Sequence, residues 1–297
     1  IDCSGVTELY GEKFHCWKKK GHGPMNLRSA IQRSCDVYFY EVARLLGVDR
    51  LSETAKKFGL GKKVLNGFIE ERAGVVPSTA WKRKFIGKNW YLGETLHSGI
   101  GQGYFQSTPL QLCLMTAQIA NGGFEIKPRV LTNEKKNNLR EYIKYKNENP
   151  NEPLPTDMLV SNFDLKPLFR NQENINFVKD AMFAATNEAG GTSFRSRYND
   201  QKFMFAGKTG SSQIKRFTEL QRELEIKQKD IDYKDRDHAL FVAFAPYSDP
   251  KYAISVVVEH GGTGSGSAAP IAKKVIKKVL ERDQFRENVK NLIGEEI

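Results

Sequence analysis

The 297 residues, 39% hydrophobic and 27% charged, are enough to bury one large domain or two small ones. No run reaches the roughly 18 apolar residues of a membrane span, and Ile1-Asp2-Cys3-Ser4 lacks the basic and apolar regions of a signal peptide, so the sequence reads as the middle of a longer protein. The net charge of +11 invites a nucleic-acid reading, but Lys18-Lys19-Lys20, Lys135-Lys136 and the Lys273, Lys274, Lys277, Lys278 set lie far apart and no recognisable module accompanies them.

In chain order, Leu27 to Gln32 has helical spacing, Ser34-Cys35-Asp36 interrupts it, and Val37 to Leu46 resumes, stopped by Gly47. Leu51 to Phe58 gives a further short helix closed by Gly59. Residues 62–95 read as irregular, anchored by Pro77, Trp81 and Trp90. Gly99-Ile100-Gly101-Gln102-Gly103 imitates part of a dinucleotide fingerprint, but no strand precedes it, and a loop packed near a cleft is the expectation. Ser107-Thr108-Pro109 is a helix start, and the apolar run from Leu110 to Ala120 predicts a buried central helix. Residues 132–155 are polar, with Pro150, Pro153 and Pro155, and are expected to form a surface insertion.

Ile175 to Ala185 is helical in pattern and Gly190-Gly191-Thr192 follows. Strands are expected over Phe203–Gly207, Ala239–Pro246 and Tyr252–Glu259, the last two as an antiparallel hairpin. The mixed-charge stretch Ile214–Asp237 reads as a long exposed excursion. A glycine-rich connection from Gly261 to Gly266 leads into a final amphipathic helix, Pro270 to Arg282, whose wet face carries the last lysine set. There is no internal repeat and no interdomain linker.

The chemistry concentrates where the first strand meets Lys208-Thr209-Gly210-Ser211. A cation and hydroxyls on a strand edge hold a carboxylate, Gly210 lets a peptide backbone lie close, and the Ser211 amide can form half an oxyanion hole. K-T-G is the third element of a three-part acyl-transfer signature whose second, S-D-N, has a counterpart in Ser34-Cys35-Asp36. Ser34 offers a proton relay to a leaving nitrogen, and Asp36 can orient a substrate amide. The first element, S-x-x-K, supplies the nucleophile. Its only occurrences here are Ser212-Gln-Ile-Lys215, directly after K-T-G, and Ser248-Asp-Pro-Lys251, between two strands. Neither stands where a nucleophile is expected.

These motifs, with Trp17-Lys-Lys and Gly21-His22-Gly23, Ser34-Cys-Asp-Val-Tyr-Phe-Tyr40, Gly99-Ile-Gly-Gln-Gly103, Thr108-Pro-Leu-Gln111, Gly207-Lys-Thr-Gly-Ser-Ser-Gln213 and Glu259-His-Gly-Gly262, resemble in order the transpeptidase domain of class B penicillin-binding proteins of the elongation type. The resemblance implies an α/β (α+β) fold of the serine β-lactamase and penicillin-binding kind, an antiparallel sheet with helices on both faces, of which 1–297 is the C-terminal portion of a single domain. It implies D,D-transpeptidation of peptidoglycan stem peptides and acylation by β-lactams, with no cofactor for catalysis. Implied partners are an elongation glycosyltransferase and scaffold proteins at the periplasmic face of the inner membrane, reached through an N-terminal anchor absent from this sequence, and no nucleic acid. Without its S-x-x-K portion the chain is expected to keep much of the cleft and to lack acylation. A non-catalytic module that senses penicilloyl groups or binds stem peptides is the alternative.

Cys3, Cys16 and Cys35 frame His22 in the pattern C-x12-C-x5-H-x12-C. Three thiolates and an imidazole are a tetrahedral zinc set, and some members of the resembled family are thought to hold zinc near this position. A Cys3–Cys16 disulfide with Cys35 free is the rival reading. Cys113, in the apolar run, is a packed thiol.

Overall fold

A computed structural model describes residues 1–65, 70–128, 166–215 and 226–293, with the isolated positions 148, 149, 152, 217, 218, 221 and 224. Most of the expected 132–155 insertion lies outside the described residues.

The sheet that carries Lys208 is antiparallel, ordered β5 (Ala206–Ser212), β6 (His238–Ala245), β7 (Tyr252–Val258), with Lys208 opposite Val242 and Val242 opposite Ser255. Strand side chains alternate between faces, and β6 shows why the sheet needs cover on both. Ala239, Phe241, Ala243 and Ala245 are buried with Ala272, Ile276 and Leu280 of helix α8 (Ala269–Ile293). Val242 and Phe244 pack the other way, onto Ile119 and Ala120 of α6 (Pro109–Ala120) and Ile175 and Met182 of α7 (Glu173–Asn187). Each fully buried phenylalanine contributes about 2–3 kcal/mol of transfer free energy, so the small alanines on β6 let α8 approach while Phe241 and Phe244 anchor the two faces. The expected architecture, helices on both faces of an antiparallel sheet, is the one observed.

The first 26 residues, for which the sequence reading proposed no elements, form two small antiparallel pairs. These are β1 (Asp2–Cys3) with β4 (Gly23–Pro24), and the hairpin β2 (Val6–Leu9) with β3 (Glu12–His15). They pack on α1 (Leu27–Arg33) and α2 (Asp36–Leu46) through a core containing Cys3, Phe14, Cys16, Met25, Ala30, Cys35, Val37 and Tyr40.

Three expectations need correction. Residues 62–95 are not wholly irregular: α4 (Thr79–Ile86) and α5 (Leu92–Gly99) lie there, after α3 (Val48–Lys57). Ser78 caps α4, its hydroxyl accepting from the Trp81 amide at 3.0 Å. The inward position is filled by Lys82, only 2% exposed and paired with Glu94 at 2.5 Å among the rings of Trp90, Tyr91 and Tyr104. A lysine in a core position hides the apolar period from sequence. Second, the expected strand Phe203–Gly207 begins only at Ala206, because Gln201–Phe203 is a helical turn capped by Asp200. Lys208-Thr209-Gly210 therefore lies within the strand. Third, the final helix runs on to Ile293. The described part of 214–237 is largely exposed, as expected, and is pinned at its ends: Lys215 pairs with Asp235 at 2.6 Å and the Ile214 amide donates to Asp237 at 3.1 Å.

Candidate active site

Helix α1 ends at Ser34, which takes the left-handed conformation (φ 53°, ψ 54°) while the Cys35 amide closes the turn on the Ala30 carbonyl at 2.9 Å. A non-glycine residue there costs about 1 kcal/mol, so surrounding contacts must hold it. Trp17 does so directly. Its indole N–H donates to the carbonyls of Ser34 at 2.8 Å and Arg33 at 3.1 Å, and its backbone amide donates to Asp36 Oδ2 at 2.8 Å. Behind the turn, α1 is clamped to α7: the Arg28 guanidinium bridges Asp180 and Glu188, at 2.6 Å to each, and Gln32 donates to the Ala189 carbonyl at 3.1 Å.

Strand β5 brings its cation to this turn. Lys208 Nζ donates to Ser34 Oγ at 2.5 Å and to the Thr209 carbonyl at 3.1 Å. Burial pushes the Lys208 ammonium down to about 8, against the pull of the Asp36 charge. Burial likewise pushes the Asp36 carboxyl up, to about 7, with the Cys16 thiolate adding to it and Lys208 opposing. Thr209 donates its hydroxyl to Thr192 at 3.0 Å.

On an antiparallel strand the N–H and C=O of one residue point to the same side. The Ser211 carbonyl accepts from Gln102 at 2.7 Å and the Gly207 carbonyl from Thr186 at 3.4 Å, both on the edge away from β6. The Ser211 amide therefore also faces that open edge, as an oxyanion donor must. The loop carrying Gln102 is the Gly99–Gly103 segment, which packs beside the cleft as its glycines suggested.

Cys3, Cys16, His22 and Cys35 converge behind the same turn, with one ligand atom from each within 4.8 Å of all the others. His22 Nδ1 lies 3.6 Å from Cys3 Sγ and 3.5 Å from Cys16 Sγ. Metal–sulfur and metal–nitrogen bonds of tetrahedral zinc place S and N about 3.5 Å apart, so the donors have the spacing of that geometry. Cys3, Cys16 and Cys35 are buried, with their sulfurs not bonded to one another. A hydrogen bond from Cys35 holds Cys16 well below the ordinary thiol range, and the same bond pushes the Cys35 thiol up. The loop is tight: Gly21 has φ +71°, and a Cβ on it would sit 2.0 Å from the Cys3 carbonyl oxygen.

Of the residues singled out from sequence, Ser34, Asp36, Lys208 and Thr209 come together, Gly210 and Ser211 continue the same strand, and the four zinc candidates form one cluster. Neither S-x-x-K string joins them: Ser212 is the exposed end of β5, with Lys215 tied to Asp235, and Ser248 lies in the β6–β7 turn. Sequence reasoning gave no role to Trp17, Gln102, Thr192 or Arg28. Their contacts run across 16 to 160 positions, which spacing does not reveal.

The penicillin-binding protein transpeptidase domain matches residues 1–277. The chain belongs to this family. It is 34% identical over 265 residues to the peptidoglycan D,D-transpeptidase MrdA of Salmonella typhimurium, covering 89% of this chain and 40% of that protein. A complex between PBP2 and MreC from Helicobacter pylori aligns at TM-score 0.75 and 32% identity, over 95% of this chain and 45% of the other. Pseudomonas aeruginosa PBP2 aligns at 0.69 and 34%, over 94% and 55%. The chain thus spans about two fifths to a little over half of the relatives it matches.

Proposed function

We propose that the protein containing this chain is a peptidoglycan D,D-transpeptidase of the elongation type, and that these residues are the C-terminal portion of its single transpeptidase domain. The observation that carries the reading is the Lys208–Ser34 hydrogen bond beside the outward-facing Ser211 amide. Lys208 donates to Ser34 Oγ, which leaves the Ser34 proton free to pass to a leaving amine. Lys208 and Thr209 take the terminal carboxylate of a D-alanyl-D-alanine stem peptide or of a β-lactam. Gly210 admits the peptide backbone, and the Ser211 amide takes the developing oxyanion. Asp36, which holds the Trp17 amide, orients the substrate's amide side. The acylating serine and its lysine belong to a part of the protein outside these 297 residues, so this chain alone is inactive toward penicillin.

Cys3, Cys16, His22 and Cys35 are read as a structural zinc site, supported by the S···N spacing. Held by these four residues, zinc would supply no chemistry to the reaction and would brace the far side of the Ser34 turn. Among the described residues no helix is long and apolar enough to cross a membrane. The protein acts at the periplasmic face of the inner membrane, held by an N-terminal anchor. Its partners are a polymerising glycosyltransferase and scaffold proteins, a reading that the Helicobacter pylori neighbour's pairing with MreC supports.

The test is labelling of the full-length protein with fluorescent penicillin, followed by peptide mapping. A label on a serine outside Ile1–Ile297 is the expected result. A label on Ser34, Ser212 or Ser248 overturns the assignment. No label at all favours a stem-peptide binding module, the reading that the lack of a well-placed S-x-x-K in this sequence would then support.

A further inference from the structure

Beyond the far end of β5 lies an open cavity of about 360 Å³, lined by Lys227, Gln228, Lys229 and Arg236 and by the backbone turn Gly261–Thr263. Three cations line it and no acid does. Among the described residues none of the three has a carboxylate partner for its side-chain charge: Arg236 donates Nε to the Ile231 carbonyl at 3.1 Å and Nη2 to the Lys229 carbonyl at 3.2 Å, which fixes the guanidinium without neutralising it. Two acids of the same stretch keep their charge but turn their oxygens to neutral N–H donors. Asp230 accepts from the Lys227 backbone amide at 3.3 Å, and the oxygens of Asp237 accept from the Ile214 amide at 3.1 Å and Gln228 Nε2 at 2.8 Å. Three cations against two carboxylates around one concavity leave it net positive, the chemistry of a carboxylate or phosphate site.

The cavity borders the strand that carries the cleft. Its glycine turn runs into Gly264, where a Cβ would stand 2.7 Å from the Gly210 carbonyl oxygen, so the turn packs directly on the K-T-G strand. Ser212, two residues past Gly210, lies opposite His238, whose ring nitrogen accepts from the His260 amide at 2.9 Å just before that turn.

Direction along the strand then matters, and here the inference rests on the transpeptidase reading. A donor peptide with its terminal carboxylate at Lys208 and Thr209 and its next carbonyl at the Ser211 amide is oriented. Its upstream residues run past Ser212, advancing about 3.3 Å per extended residue, toward the cavity. We propose that this cavity binds the carboxylate of an acidic residue upstream in the same stem peptide, and so reads the peptide at a second point beyond its D-alanyl end.

The test uses the full-length protein and two synthetic pentapeptides ending in D-alanyl-D-alanine, identical except that the third residue carries a free carboxylate in one and a carboxamide in the other. The wild-type protein is expected to bind the carboxylate form about tenfold more tightly, the scale of one or two charge-assisted hydrogen bonds. The Lys227→Gln/Lys229→Gln variant is expected to lose that preference while binding the carboxamide form as the wild type does, which also shows that it is folded. Arg236 is left in place because it braces the segment. Equal binding of the two peptides by the wild type, or a preference that survives in the variant, overturns the proposal. So does a variant defect confined to phosphatidylglycerol vesicles with peptide binding intact. Penicillin labelling run alongside separates the two readings. A protein that labels but shows no carboxylate preference fails only this inference; one that does not label, yet shows a lysine-dependent preference, fails only the transpeptidase reading.

Discussion

The indole of Trp17 donates to the carbonyl of Ser34 at 2.8 Å although the tryptophan side chain is largely exposed to solvent. An exposed tryptophan seldom has a structural task; this one holds a strained serine from outside. Replacing Trp17 by Phe keeps the ring and deletes the donor, leaving the Arg33 and Ser34 carbonyls without it. We expect about 1 kcal/mol of lost stability and roughly tenfold slower acylation by penicillin in the full-length protein. An unchanged acylation rate would show that the turn does not need its brace.

Ser34 separates backbone strain from chemistry. Ser34→Ala removes the hydroxyl and keeps the left-handed cost; Ser34→Gly removes both. Thermal unfolding should rank the glycine variant above the alanine variant by about 1 kcal/mol, while both lose about 10²- to 10⁴-fold in turnover with a peptide donor. Retained turnover in either would remove Ser34 from the proton path.

Lys208 predicts a pH dependence with a definite sign. Its ammonium titrates at about 8 in the folded chain, against an ordinary lysine value of 10.5. Affinity for a carboxylate ligand should therefore be full below pH 8 and fall as pH rises through it. For stability the folded pKa is the lower one: below pH 8 both states hold the proton and the fold carries the cost of a buried charge. Between 8 and 10.5 the unfolded state holds more protons, so stability rises with pH. Urea titrations across this window, with Lys208→Met as the comparison lacking that rise, measure it; a fall in stability through the same window would contradict the assignment.

The Lys82–Glu94 pair is a second buried charge with a purely structural task. Glu94→Gln leaves the ammonium of Lys82 among three aromatic rings without its carboxylate, and should cost about 3–5 kcal/mol. Lys82→Met removes the charge itself and should cost less. Denaturant unfolding of the two variants checks the order, and the reverse order would mean that the rings alone satisfy the lysine.

Metal analysis decides the cysteine cluster. One zinc per chain is expected, with a lowered melting temperature and slower penicillin acylation after chelation. No zinc, together with two fewer reactive thiols than the sequence holds, would establish the disulfide instead.

The parts of the site visible in sequence are those whose chemistry is unusual for their place. A lysine after an aromatic run, a hydroxyl and an acid around a helix break, and three cysteines framing a histidine each stand out locally. The strand alternation of β6 and β7 and the cap at Thr108-Pro109 are legible because their periods and stop signals are local too. What stays hidden depends on partners far along the chain. Helix α4 has its inward position filled by Lys82, which reads as surface until Glu94 is known to meet it. Trp17, Thr192 and Gln102 acquire meaning only when the Ser34 turn and β5 are side by side. The start of β5 is read too early because Phe203 and its neighbours look like strand yet form the turn that Asp200 caps.

Ser34 and Lys208 are 174 positions apart, yet meet through one hydrogen bond. The entropy of closing so long a loop grows only logarithmically, by about 0.6 kcal/mol for each doubling of its length. Evolution can therefore lengthen or rewrite the intervening surface segments at little thermodynamic expense. The groove, by contrast, exists only once both distant pieces have docked, so a ligand that needs both sides of it reports on their completed folding together.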